Sequence, residues 1–177
     1  MDIGLLVIRL LIGLLIAGHG VQKVTPWLGG HGLSGGAEEF RRDGFRGGVI
    51  TALTAGGTQI GSGLLLAAGA LTPVATMGAM GAMTVAVTVK WHKGLWVQND
   101  GYEYPGVLVI VAAALALTGP GTLSLDAALN IMLPSWIAPA AIAAGIGSGL
   151  LARLILHSQN GDSHEDTASK TASELAR

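Results

Sequence analysis

Several side chains able to move protons or stabilise oxyanions stand at the ends of apolar segments. In "GHGVQKVTPW", residues 18–27, His19 and Lys23 are four positions apart. A helix therefore places them on one face, one turn from each other. Histidine exchanges protons near neutral pH, and lysine can stabilise a developing oxyanion. "KWHKGLW", residues 90–96, adds His92, and "GYEYP", residues 101–105, adds Glu103 and Tyr104. His19, His92 and Glu103 offer metal-ligand chemistry in principle. No H-E-x-x-H or comparable spacing is present, so no metal site is expected. Hydrogen bonding or proton transfer to a ligand fits better. A quinone headgroup uses such groups at a membrane interface, beside apolar surface for its tail, although spacing alone does not establish one. The bland reading stands beside it: Trp27, Trp91, Trp96, Tyr102 and Tyr104 form by default an interfacial aromatic belt.

Two further polar residues lie inside apolar segments. Arg9 sits within the first one, where a charge costs on the order of 2.5–3.5 kcal/mol by insertion scales. It either snorkels to the near interface or pairs inside the bundle. At about 100° per residue, Arg9, Gly13, Gly20 and Lys23 share a narrow sector with His19 at its edge, and that face should point inward. Gln59 shares the second segment with Thr51, Thr54, Thr58 and Ser62. Hydroxyls there bond their own backbone. The amide needs two or more partners, so Gln59 either holds the second segment to the first or faces a polar cavity. The expected polar pocket is thus Arg9, His19, Lys23, Gln59, His92, Glu103 and Tyr104.

The elements that must position these residues are membrane helices. The chain has 177 residues, 50% hydrophobic and only 12% charged, with 28 glycines. A soluble domain carries about 25% charged residues, and small residues let membrane helices approach closely. A span needs about 20 residues. Five segments qualify: 3–24, 48–71, 74–89, 104–118 and 136–157, the third and fourth being short. The expected fold is all-α, a polytopic helical bundle. The first segment lacks a basic leader, and its apolar run is too long for a signal peptide. Residues 71–73, "LTP", turn the second segment into the third as a hairpin. Within the loop 25–47, residues 35–42 can form an amphipathic helix on the membrane surface. The polar tail, 158–177, is expected to be disordered. Gly57 and Gly61 are a G-x-x-x-G pair expected at a helix seam, and Met77, Met80 and Met83 fill gaps or meet a flexible apolar ligand.

Alternating topology brings the polar ends of the odd segments to one side, so function is expected there. Lys23, Arg41, Arg42, Arg46, Lys90 and Lys93 crowd the first and third loops, which places that end in the cytoplasm. A net charge of −1 gives no support for nucleic-acid binding. With no cysteine, thiol redox chemistry, disulfides and cysteine-ligated clusters are excluded from this chain. Any redox role needs a partner, an organic cofactor or an electron carrier.

The fragments "RLLIGLLIAGHGVQKV", "WLGGHGLSGGAEEFRRDGF", "HKGLWVQNDGYEYP" and "ALTGPGTLSLDAAL" resemble, in that order, the DoxX family of small bacterial membrane proteins. The resemblance implies a four-helix core over residues 1–130, with 131–157 an additional transmembrane helix outside it. It also implies a multi-pass protein of the bacterial plasma membrane, linked to redox processes. Related proteins resemble the membrane subunit of a thiosulfate:quinone oxidoreductase, and others join assemblies that counter oxidative stress. Arg9, His19, Lys23, Trp27, Glu103 and Tyr104 match recurrent family positions. Where family members often carry an acid in the second helix, this chain has Gln59, which hydrogen-bonds but carries no proton charge. The leading expectation is a quinone-interacting subunit of a redox system with no cofactor of its own. His19 and Lys23 would hold the carbonyl oxygens, and His92 or Glu103 would manage a proton. The alternative is a non-catalytic anchor that docks a soluble oxidoreductase through the first loop. A small-molecule transporter is a third reading, without a clear internal repeat to support it. The lipid bilayer is the expected partner, with a soluble oxidoreductase subunit beside it.

Overall fold

The computed structural model describes residues 2–157, so the polar tail lies outside the described residues. Helix α1, Asp2–Val24, is a Leu/Ile run that stops where Thr25 meets Pro26, because a residue preceding proline is pushed out of helical geometry. After a short turn, α2, Gly32–Arg42, lies across the end of the bundle. It buries Gly36 and Phe40 and exposes Glu38, Arg41 and Arg42. It begins three residues before the expected amphipathic stretch. Helix α3, Val49–Ala68, ends on left-handed Gly69, a conformation that glycine adopts without a Cβ penalty. Helix α4, Thr72–Lys90, follows with a proline in its first turn, where the missing N–H is harmless. It is longer than expected. Helix α5, Glu103–Thr118, has 16 residues and returns to the far end. The short α6, Leu125–Ala128, turns the chain, and α7, Ile137–Leu156, runs back.

Helices α1, α3, α4 and α7 are long and apolar enough to cross a membrane, and α5 is a shorter apolar helix. The outward faces carry Val7, Leu11, Leu14, Ile110, Leu154 and Ile155, all exposed to what would be lipid. This is a multi-pass helical bundle. Ile16, Leu66, Met80 and Leu108 are buried at its centre.

Lipid tails give no hydrophobic drive for helix association, so close packing must supply it. The α1–α3 seam does so with glycines. A Cβ on Gly13 would lie 2.5 Å from the Gly63 carbonyl oxygen, and one on Gly20 would lie 2.5 Å from that of Gly56. The expected pair Gly57 and Gly61 is not the seam: both face open space. The α3 glycines that matter are one residue earlier and two later, because α1 meets that face of the helix.

Helix α7, the additional transmembrane helix, packs along α4, where a Cβ on Gly145 would lie 2.9 Å from the Met77 carbonyl and one on Gly149 would lie 2.6 Å from that of Gly81. Its end is tied to the loop before α3. Arg46 N donates to the Leu156 carbonyl (2.8 Å), and Arg153 donates to the Asp43 carbonyl (3.2 Å) while lying over the Phe45 ring.

Candidate functional site

The far end of the bundle holds Arg9, and it is a structural lock. Arg9 is 1% exposed. Its guanidinium donates to the carbonyls of Pro120 and, at 2.5 Å, Leu123. Asp126, also buried, accepts from Leu71 N (2.8 Å), Thr72 N (3.0 Å) and the Thr72 hydroxyl (2.7 Å). The carboxylate therefore caps the start of α4, where the helix dipole favours an anion. Ser124 caps α6 by accepting from Ala127 N at 3.1 Å. The stretch "GPGTLSLD" is thus the chain that closes over Arg9. Of the two expectations for Arg9, inward pairing is the one observed. Arg9 does not join His19 and Lys23, which lie at the other end of α1.

At the charged end, His19 and Tyr104 meet. His19 Nε2 and the Tyr104 hydroxyl are 2.9 Å apart, with the rings edge to face at 5.4 Å. This contact joins α1 to α5. Lys23 donates to both carboxylate oxygens of Glu39, at 3.1 and 3.2 Å, and its Nζ lies 5.1 Å from the Phe40 ring centre. His19 and Lys23 line a polar hollow of about 260 Å³ together with Gln22, His31, Glu39 and Arg42.

Glu103 and His92 are placed apart from that hollow. Glu103 accepts from Val97 N at 3.0 Å and so fixes the connection into α5. His92 is exposed and lines neither the hollow nor the cleft described next. Trp91 stacks on Tyr102 at 4.8 Å. Trp27, Trp91 and Trp96 are all exposed, as an interfacial belt requires. Between them, Lys90 and Lys93 both pair with Asp100. Hydrogen bonds from Lys90 and then Lys93 hold its carboxyl down at about 2. Among the described residues no group of three or more His, Asp or Glu side chains converges as a metal-ligand set.

The larger concavity is a cleft of about 530 Å³ between α3, α4 and α7. Its walls are mostly apolar: Ile50, Ala55, Met77, Val85, Ala152 and Leu156. Lys23, Glu39, Asp43 and Lys90 line it as well and form its charged mouth. Deeper in, Thr54, Thr58 and Gln59 supply the polar groups. Gln59 is 5% exposed, and its Oε1 has no hydrogen-bond partner. An unpaired buried polar atom costs about 1–3 kcal/mol. Gln59 lines this mostly apolar cleft, where one of its two expected roles had a polar cavity. The hydroxyl stripe beside it is only partly self-satisfied. Thr51 bonds the Arg46 carbonyl at 2.5 Å, while Ser62 Oγ is buried without a partner.

Asp43 and Glu39 escaped the sequence reading, although "EEFRRD" sets them four apart and so on one helical face. Burial pushes the Asp43 carboxyl above its ordinary range, and neighbouring Glu39 adds to the effect, against the lysines nearby. The cleft wall from α7 was missed too, because a helix read as an addition outside the core was not expected to contribute to a site.

Fold and site together define the class: a multi-pass helical membrane protein with an apolar cleft whose mouth is charged. More narrowly, the chain belongs to the DoxX family, whose model matches residues 4–92, from α1 through the turn after α4. No curated protein and no solved structure matches it.

Proposed function

We propose that the chain is the membrane subunit of a redox system and binds a quinone in the cleft. The observation that carries this reading is an apolar groove joined to a mouth of Lys23, Glu39, Asp43 and Lys90. A quinone taking up two electrons and two protons needs that pairing of surfaces. Apolar walls receive its tail, Lys23 can donate to a carbonyl oxygen, and Asp43 can hold a proton beside it. The raised Asp43 carboxyl suits the last role. This moves the proton-handling group from His92 or Glu103, which line neither concavity, to Asp43. With no cysteine in the chain, electrons would come from a partner protein, an organic cofactor or an electron carrier. The reading places the charged end in the cytoplasm of a bacterial cell.

The test is equilibrium binding of decylubiquinone to the full chain in nanodiscs. Lys23→Met should weaken binding about tenfold, the worth of one charge-assisted hydrogen bond. Absence of saturable binding by the wild type would rule the proposal out. The anchoring alternative draws on the exposed charged face of α2, with Glu38, Arg41 and Arg42. It requires that Arg41→Ala with Arg42→Ala release a co-purifying oxidoreductase while leaving the membrane bundle folded.

A further inference from the structure

We infer that the cleft seats a ring with polar atoms on two opposite edges, one edge against the Gln59 amide near mid-membrane and the other toward Lys23 at the mouth. The inference rests on the quinone reading for the ligand's class and adds its depth and its second clamp.

Gln59 is the eleventh of the twenty residues of α3, so it lies near the middle of that span. Its side chain points into the cleft and is almost wholly buried, with Oε1 unpartnered. One turn deeper, Ser62 Oγ is buried without a partner too. A helix-pinning role would tie the amide across to another helix, and its oxygen makes no such bond. Met77 and Gly78 of α4 line the cleft with it, and Gly78 packs closely on Ser62, where a Cβ would lie 3.0 Å from the serine's.

Depth decides the ligand's shape. Lys23 leaves α1 beside Gly56, since a Cβ on Gly56 would lie 3.5 Å from that of Lys23. Gln59 follows Gly56 by three residues, or about 4.5 Å of helix rise. That turn separates only the Lys23 Cβ from Gln59; the lysine side chain carries Nζ farther out to the Glu39 carboxylate, and this added reach leaves room for a six-membered ring with a hydrogen bond of about 2.9 Å on each edge. A fatty acid or phospholipid keeps its polar atoms together at the interface and would lay only methylenes beside Gln59. An amide also serves both redox states of a ring. It presents N–H to a carbonyl and, turned over, its oxygen to a hydroxyl.

The experiment compares wild type, Gln59→Leu and Gln59→Glu in nanodiscs, with decylubiquinone, its reduced form and oleate as probes. Thermal unfolding is followed in parallel. The expected result is that Gln59→Leu weakens both ring probes about tenfold without lowering the unfolding midpoint, while near-isosteric Gln59→Glu restores most of the affinity and oleate binds no variant preferentially. Wild-type affinity in Gln59→Leu would overturn the inference and leave the quinone reading standing. A lowered midpoint in Gln59→Leu, unrestored by glutamate, would make Gln59 a structural pin and overturn it as well. A wild type that binds oleate but neither ring probe would remove both the quinone reading and this inference.

Discussion

The two ends of this bundle treat buried polarity in opposite ways. At the far end, Arg9 and Asp126 are nearly inaccessible, and Asp126 is matched three times over by the start of α4. In the cleft that opens toward the charged end, Gln59 is just as hidden, yet its oxygen faces nothing. The first arrangement spends its polar groups on holding the chain together, with only Arg9 Nε left over on a guanidinium whose other nitrogens are bound. The second leaves the Gln59 oxygen unpartnered in the lining of a cleft. A buried polar residue in a membrane helix therefore points to a ligand when its unpartnered atom also faces a cavity.

The largest effect is expected at the far end. Asp126→Ala leaves Leu71 N, Thr72 N and the Thr72 hydroxyl without their acceptor. With about 1–3 kcal/mol for each buried donor left unpaired, the expected loss is about 3–5 kcal/mol, read as a lower unfolding midpoint in detergent, with no selective effect on ligand. A small change there would mean that the lock is ornamental. Next in size is Gly63→Val, which drives a side chain into the α1 backbone and should cost about 1–3 kcal/mol by overpacking. The same substitution at Gly61, which faces open space, should be nearly silent. In the cleft, replacing Gln59 by leucine should change stability by less than about 1 kcal/mol, or raise it, because an unsatisfied group is removed. An apolar replacement is then harmful at one end and harmless at the other.

Smaller effects concern pH. Asp43 has a raised folded pKa, so the fold favours its neutral form. Its contribution is full below the ordinary carboxyl value of 3.8 and is lost as pH rises through the higher folded value. Asp43→Asn should therefore stabilise the protein slightly at neutral pH and flatten any pH dependence of quinone binding. Asp100 behaves in the opposite sense. Its pKa falls from 3.8 to about 2, so its pairing with Lys90 and Lys93 contributes above 3.8 and disappears toward pH 2. Being exposed, it should shift acid unfolding least of all. Asp100→Asn against wild type in an acid titration checks the sign.

Much of the fold could be read from hydropathy, since each span is a run of apolar residues bounded by Pro, Gly or charge. The five helices begin and end near their expected positions, and the rim gathering His19 with Tyr104 follows from alternating topology alone. Arg9 was harder. Its acceptors are carbonyls more than a hundred positions away, and no periodicity encodes a backbone carbonyl's direction. The glycine seam was misread for a related reason: Gly56, Gly57, Gly61 and Gly63 are alike in sequence, and only the facing helix selects among them. The cleft was invisible because it needs α7 as a wall, and the pairing of α7 with α4 depends on Gly145 and Gly149 meeting Gly81. The residues of the cleft's mouth were legible in type but not in grouping.

Helix α5 is short for a membrane span. Sixteen helical residues reach about 24 Å, against about 34 Å for the 23 residues of α1. A hydrocarbon layer of roughly 30 Å must thin along the α5 flank or the helix must be carried deeper by its neighbours. Acyl-chain length thereby becomes a variable acting on this protein: short-chain lipids relieve the mismatch, and long-chain lipids strain the His19–Tyr104 contact that holds the top of α5 to α1.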